Sequence, residues 1–107
     1  MTTTIDESKT VVTLINVFEV ELLKQDALVE LLERATVEVT QYLQGFISSN
    51  IHRGLDGKHV ATYAQWARRE DFEAMLANPK VQEHVRIANT IGRAAPALYR
   101  VDSVCGK

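Results

Sequence analysis

Few side chains in this 107-residue sequence combine a reactive type with a telling position. Trp66 is the only tryptophan, and it closes the alternating stretch HVATYAQW. Its indole N–H is a donor that wants a partner, which a substrate oxygen can supply. A lone tryptophan at a strand end serves equally well as a core plug. Asn16 interrupts an apolar row formed by Val12, Leu14 and Phe18. A buried amide without partners costs about 1–3 kcal/mol. It is therefore either satisfied by backbone or water, or it is a donor aimed into a ligand cavity. Arg86 lies between Val85 and Ile87. Turned inward it would stabilise a phenolate or enolate; turned outward it is an ordinary solvated arginine. His52, His59 and His84 make no metal set, because no cysteine or carboxylate joins them at ligand spacing. The sequence carries no glycine-rich phosphate loop, no Ser-His-Asp set and no Cys-His pair. Asp71 and Glu73 read as surface charges on a helix.

The elements that must position these residues are legible from periodicity. Val11 to Val20 is rich in β-branched residues and reads as a first strand, apolar on both sides. Lys24 to Gln44 reads as a helix whose stripe is Leu28, Leu31, Leu32, Ala35, Val39, Tyr42 and Leu43, with Gly45 as its C-cap. Phe46 to Arg53 and His59 to Trp66 read as two strands joined by Gly54-Leu55-Asp56-Gly57; Asp-Gly suits the positive backbone angles of a tight hairpin. Arg69 to Ala77 is a helix with Phe72, Met75 and Leu76 inward. Asn78 and Pro79 fit the N-cap and first turn of another helical piece, running to about Ile91. Gly92 and Pro96 end it, and Ala97 to Val104 reads as a fourth strand.

The order is β-α-β-β-α-β, an α+β, ferredoxin-like arrangement of a four-stranded antiparallel sheet with helices on one face. The helix-facing side takes Val12, Leu14, Asn16 and Phe18 from the first strand and Val60, Thr62, Ala64 and Trp66 from the third. The other side takes Val11, Ile15, Val17, Ile47, Ile51, Tyr63 and Tyr99, and nothing in the chain covers it. Left in water, it forfeits about 25 cal/mol per Å² of apolar surface. A second copy of the same sheet is the simplest cover, so a two-fold homodimer is expected.

Composition bounds the rest. The length suits one domain, residues 11–107, preceded by a polar, flexible N-terminal arm at residues 1–10 without a signal-peptide core. The formal net charge of −2 leaves no electrostatic footprint for nucleic acid. No apolar run approaches the roughly 18 residues of a membrane span. One cysteine, Cys105, cannot form an internal disulfide, which points to a reducing cytoplasm.

Three segments carry a family resemblance: VVTLINVFEV, the hairpin GFISSNIHRGLDGKHVATYAQW and the helix REDFEAML. Together they resemble the antibiotic biosynthesis monooxygenase family, over nearly the whole of residues 11–104. The resemblance implies a dimeric α+β barrel and oxygenation of an aromatic polyketide, anthrone- or phenol-like, to a quinone with O₂ and no cofactor or metal. It implies catalytic roles for Trp66 and Arg86, with Asn16 standing in for an amide that the family places where this chain has Thr62. A tyrosine position holds Phe72, which cannot transfer a proton. Thr62, Phe72, Phe18, Leu14 and Met75 are then the expected substrate contacts. Two other functions share the fold: a non-catalytic ligand-binding dimer or cyclase-like helper, and heme degradation. For the heme-degrading branch Asn16 fits, Met75 stands where a second tryptophan is expected, and His84 falls about one residue from the axial position.

Overall fold

The computed structural model describes residues 2–107. Eight elements follow one another: β1 (Val12–Val20), α1 (Gln25–Glu38), a 3₁₀ turn (Thr40–Tyr42), β2 (Phe46–Arg53), β3 (His59–Trp66), α2 (Arg69–Ala77), α3 (Pro79–Ile91) and β4 (Gly92–Tyr99). The four strands form one antiparallel sheet in the order β2-β3-β1-β4. The fold is ferredoxin-like, with the second helical segment split in two at Asn78-Pro79. Asn78 caps α3 by accepting from the backbone N–H groups of Lys80 and Val81, which satisfies donors that a helix start leaves orphaned.

Register decides which side chains face the helices. Asn16 pairs with Thr62, Leu14 with Ala64, Phe18 with Val60 and Val12 with Trp66. These eight positions share the helix-facing side, as their alternation requires. The β2–β3 pairing slips by one residue between Phe46 and Ser48. This bulge puts Ile51 opposite Thr62 and turns it toward the helices, not toward the outer face expected from simple alternation.

Two further boundaries differ from the sequence reading. α1 stops at Glu38, and Gly45 (φ +81) serves the turn into β2 and not a helix end. Thr36, Val37, Val39 and Thr40 crowd the last turn with β-branched residues, which favour helix only weakly. Tyr42 consequently leaves the apolar stripe and is exposed. β4 begins at Gly92 and contains Pro96, so the expected Ala97–Val104 strand is displaced by several residues, and residues 100–107 form no strand. Proline is tolerated there because β4 is a sheet edge.

Helices and sheet enclose two apolar clusters. One gathers Phe18, Val20, Leu28, Val60 and Ala88. The other gathers Trp66, Phe72, Met75 and Val81. On the outer face, Thr13, Ser48 and Gln65 are buried. The N-terminal segment lies against them: Thr3 bonds Ser48 through their hydroxyls at 2.6 Å, the Gln65 amide donates to the Thr4 carbonyl at 2.9 Å, and Asn50 donates to Thr3.

Candidate active site

A cavity of about 470 Å³ lies between the sheet and the helices, at the meeting of the two clusters. Phe18 and Ala88 from one cluster and Trp66, Phe72 and Val81 from the other all line it. That volume falls within the usual range for small-molecule sites, about 300–1,000 Å³. Its floor is the sheet: Leu14, Asn16, Thr62, Ala64, Ser49 and Ile51. Its roof comes from α1 (Leu32, Ala35, Thr36), α2 (Phe72, Leu76) and α3 (Val81, His84, Val85, Ala88). A second depression, of about 760 Å³, lies open to solvent around Glu19, Gly92 and Arg93. Its charges are already engaged, since Arg93 binds Glu19 at 2.8 Å.

Trp66 is 1% exposed and is clamped by edge-on contacts from Phe46 and Phe72, with ring centroids 5.6 and 6.4 Å away. Its Nε1 is buried and has no hydrogen-bond partner among the described residues. The tryptophan is thus both a core plug and a donor left free. Asn16 likewise meets both readings. Its Oδ1 accepts from the Ala95 backbone N–H at 3.1 Å, beside the edge-strand Pro96 that brings no N–H of its own. Asn16 also lines the cavity, next to its cross-strand partner Thr62.

The structure assembles six of the eight expected site residues around the cavity: Trp66, Asn16, Thr62, Phe72, Phe18 and Leu14. Met75 is buried behind them, in the cluster with Trp66, and does not reach the cavity lining. Arg86 is placed elsewhere. Its guanidinium is exposed and donates to both Glu83 carboxylate oxygens, from Nη2 at 2.6 Å and Nε at 3.1 Å. That bond and its charge hold the Glu83 carboxyl below the ordinary range. The reason is helical geometry. At 3.6 residues per turn Arg86 points about 200° away from His84 and 100° from Val85. The inward face of α3 is Val81, His84, Val85 and Ala88, spaced i, i+3, i+4, i+7. The solvated alternative that the residues offered for Arg86 agrees with this position, its inward role came from the family resemblance, and the stripe places His84 inside.

His84 is the one ionisable side chain among the described residues that line the cavity. Its Nδ1 is buried without a partner among those residues. Asp71 was expected to be a surface charge. It is buried instead, bonded by Arg68 at 2.9 and 3.2 Å and packed against Gly45, where it ties α2 to the start of β2.

An antiparallel ferredoxin-like sheet roofed by helices over a mainly apolar cavity defines a small ligand-enclosing domain. Residues 11–87 match the antibiotic biosynthesis monooxygenase family. Tetracenomycin-F1 monooxygenase of Streptomyces glaucescens is 37% identical over 98 residues, spanning 92% of this chain and 88% of that protein. SnoaB, a cofactor-independent oxygenase from Streptomyces nogalater, shares the fold with a TM-score of 0.80 at 18% identity, over 91% of this chain and 98% of its own. A Streptomyces coelicolor monooxygenase solved with nanaomycin D does so with a TM-score of 0.81 at 22% identity, over 90% of this chain and 91% of its own. The chain belongs to the antibiotic biosynthesis monooxygenase family, and it is an enzyme of the monooxygenase class.

Proposed function

We propose that this protein oxidises a polycyclic phenolic substrate of the anthrone type to a quinone with O₂, without a cofactor, inside the cavity between Trp66 and α3. The observation that carries the reading is a partly enclosed, mainly apolar space lined by Trp66 and by a pair of polar floor residues, Asn16 and Thr62. Flat aromatic rings fit between Leu14, Phe18 and Phe72, and the polar groups meet the ring oxygens. The kinship with tetracenomycin-F1 monooxygenase and the nanaomycin D complex of the Streptomyces coelicolor relative point the same way.

The chemistry asks little of the protein. The substrate loses a proton, and the resulting carbanion passes one electron to O₂. The radical pair joins to form a C–O bond, and the hydroperoxide then loses water to leave the carbonyl. Both reducing electron pairs come from the substrate. The site must bind the substrate, favour its anion and admit oxygen. In this reading the indole N–H of Trp66 and the amide of Asn16 hold the phenolate oxygen, a stabilisation that is strongest where water is excluded.

The proposal includes a cytoplasmic, two-fold homodimer joined through the outer sheet face. Oxygen uptake with dithranol, followed with chelated, flavin-free protein, tests the activity. The expected result is stoichiometric uptake with quinone appearing in step. A second reading, a ligand-binding module, is favoured by one observation: Phe72 and the outward Arg86 remove two of the groups that the resemblance assigns to the chemistry. Tight binding of dithranol without oxygen uptake decides for that reading.

A further inference from the structure

Removal of the substrate proton requires an acceptor. The cavity wall holds no carboxylate, lysine or tyrosine among the described residues, and Arg86 lies outside it. His84 is left. We propose that His84 accepts the substrate's proton and later returns it, and is therefore the general base and acid of the oxygenation proposed above, on which this inference rests.

Three observations converge on it. His84 sits on the inward stripe of α3, in the roof of the cavity, opposite the floor that carries Asn16 and Thr62. Its Nδ1 is buried with no hydrogen-bond partner among the described residues, a condition that native structures rarely leave unanswered. Trp66 Nε1 shares that condition at the same cavity. One orphan can donate and the other can accept, which matches the needs of a phenol: an acceptor for its proton and a donor for the oxygen left behind. Imidazole is the side chain best suited to take and give a proton near neutral pH.

The proton balance closes on His84 alone. The imidazole takes one proton as the substrate becomes its anion. After O₂ has accepted an electron and joined the substrate carbon, the imidazolium gives that proton to the peroxide oxygen. The remaining proton on the same carbon then passes to the imidazole while the O–O bond breaks. The imidazolium protonates the departing hydroxide to water. O₂ is reduced by the four electrons that the substrate carbon gives up: one oxygen stays as the carbonyl and the other leaves as water. His84 ends unprotonated, ready for another turnover.

Two measurements on the full chain test this, with His84→Gln and the shorter His84→Asn carried side by side and their folds checked by circular dichroism. The first uses alizarin, a hydroxyanthraquinone whose phenolate absorbs at longer wavelength than its phenol. Wild type is expected to bind alizarin as the phenolate at a pH where the free dye is the phenol, and both variants are expected to bind it as the phenol. The second is dithranol turnover, where loss of a general base lowers kcat by about 10²- to 10⁴-fold with KM nearly unchanged. Variants that keep both the phenolate band and turnover within about threefold of wild type overturn the role of His84 and leave the oxygenase reading intact. A phenolate band that depends on His84, with no oxygen uptake by wild type, supports His84 as the proton acceptor and overturns the oxygenase reading alone.

Discussion

At the scale of single residues, the cavity separates stability from function in a way that mutation can expose. The Trp66 indole N–H has no hydrogen-bond partner among the described residues, so removing it breaks no bond there. Trp66→Phe removes that donor and part of a ring that is 1% exposed. The expected cost is the lost volume alone, about 1–2 kcal/mol, read as a fall in Tm of several degrees. kcat/KM with dithranol should fall much further, by at least about tenfold, because a phenolate left without its donor loses a charge-assisted bond. Arg86→Ala is expected to leave kcat/KM within about twofold of wild type, since its guanidinium is exposed and occupied by Glu83. Together the two variants show whether the group that meets the phenolate lies in the cavity at Trp66 or on the outer side of α3 at Arg86. Much of this site was legible in the sequence. Trp66, Asn16 and Thr62 could be placed on one sheet face because strand alternation has a period of two and needs no further information. The inward reading of Arg86 rested on the family resemblance, and the inward position of His84 was not read from the sequence, because a helix face is set by residues three and four apart. The burial of Asp71 had no local signal: it follows from a contact with Gly45, 26 positions earlier.

At the scale of elements, the strands β2 and β3 and the helices α2 and α3 were readable from the sequence because strong stops punctuate them: Asp56-Gly57, Asn78-Pro79 and Gly92. The end of α1, the β2 bulge and the start of β4 were not. The bulge and the start of β4 depend on a partner strand, and α1 ends within a β-branched run whose weak helix preference the apolar periodicity does not register. The bulge has a visible effect on the site, for it turns Ile51 into the cavity wall. Just before it, Gly45 holds a backbone angle of φ +81, and an added Cβ there would collide with the Asp71 carboxyl. Gly45→Ala is therefore expected to destabilise the fold by about 2 kcal/mol or more, combining left-handed strain with the clash, as measured by the urea midpoint at constant m-value. In an Asp71→Gly background, which removes the Asp71 Cβ as well as the carboxyl, the same substitution should cost about 1 kcal/mol, because only the strain remains. Equal costs in both backgrounds would show that Asp71 does not crowd this turn.

At the scale of the whole molecule, the outer sheet face is divided. One end is polar and already covered, with Thr13, Ser48 and Gln65 buried beneath the N-terminal segment. The centre is apolar and open, between Asn50 and His52 on β2 and the Glu19–Arg93 pair at the far end: Ile15 and Val17 of β1 face Ala61 and Tyr63 of β3 and Ala95 and Ala97 of β4, and Tyr99 is half exposed. The helices occupy only the opposite side, so this half-face has no cover within the chain. Two copies related by a two-fold axis would bury it without touching either cavity, since the cavities lie beneath the helices. Val17 is 39% exposed and central to the open half. An aspartate at this position stays hydrated in a lone subunit but loses its water when two sheets meet, a cost of several kcal/mol for an unpaired charge. Val17→Asp is therefore expected to raise the dimer dissociation constant by at least about 100-fold, while far-UV circular dichroism stays native. Sedimentation velocity across nanomolar to micromolar concentrations reads the change directly. A wild-type protein that sediments as a single subunit throughout that range would rule out the dimer, and the open half-face would then be an exposed apolar surface that this chain tolerates alone.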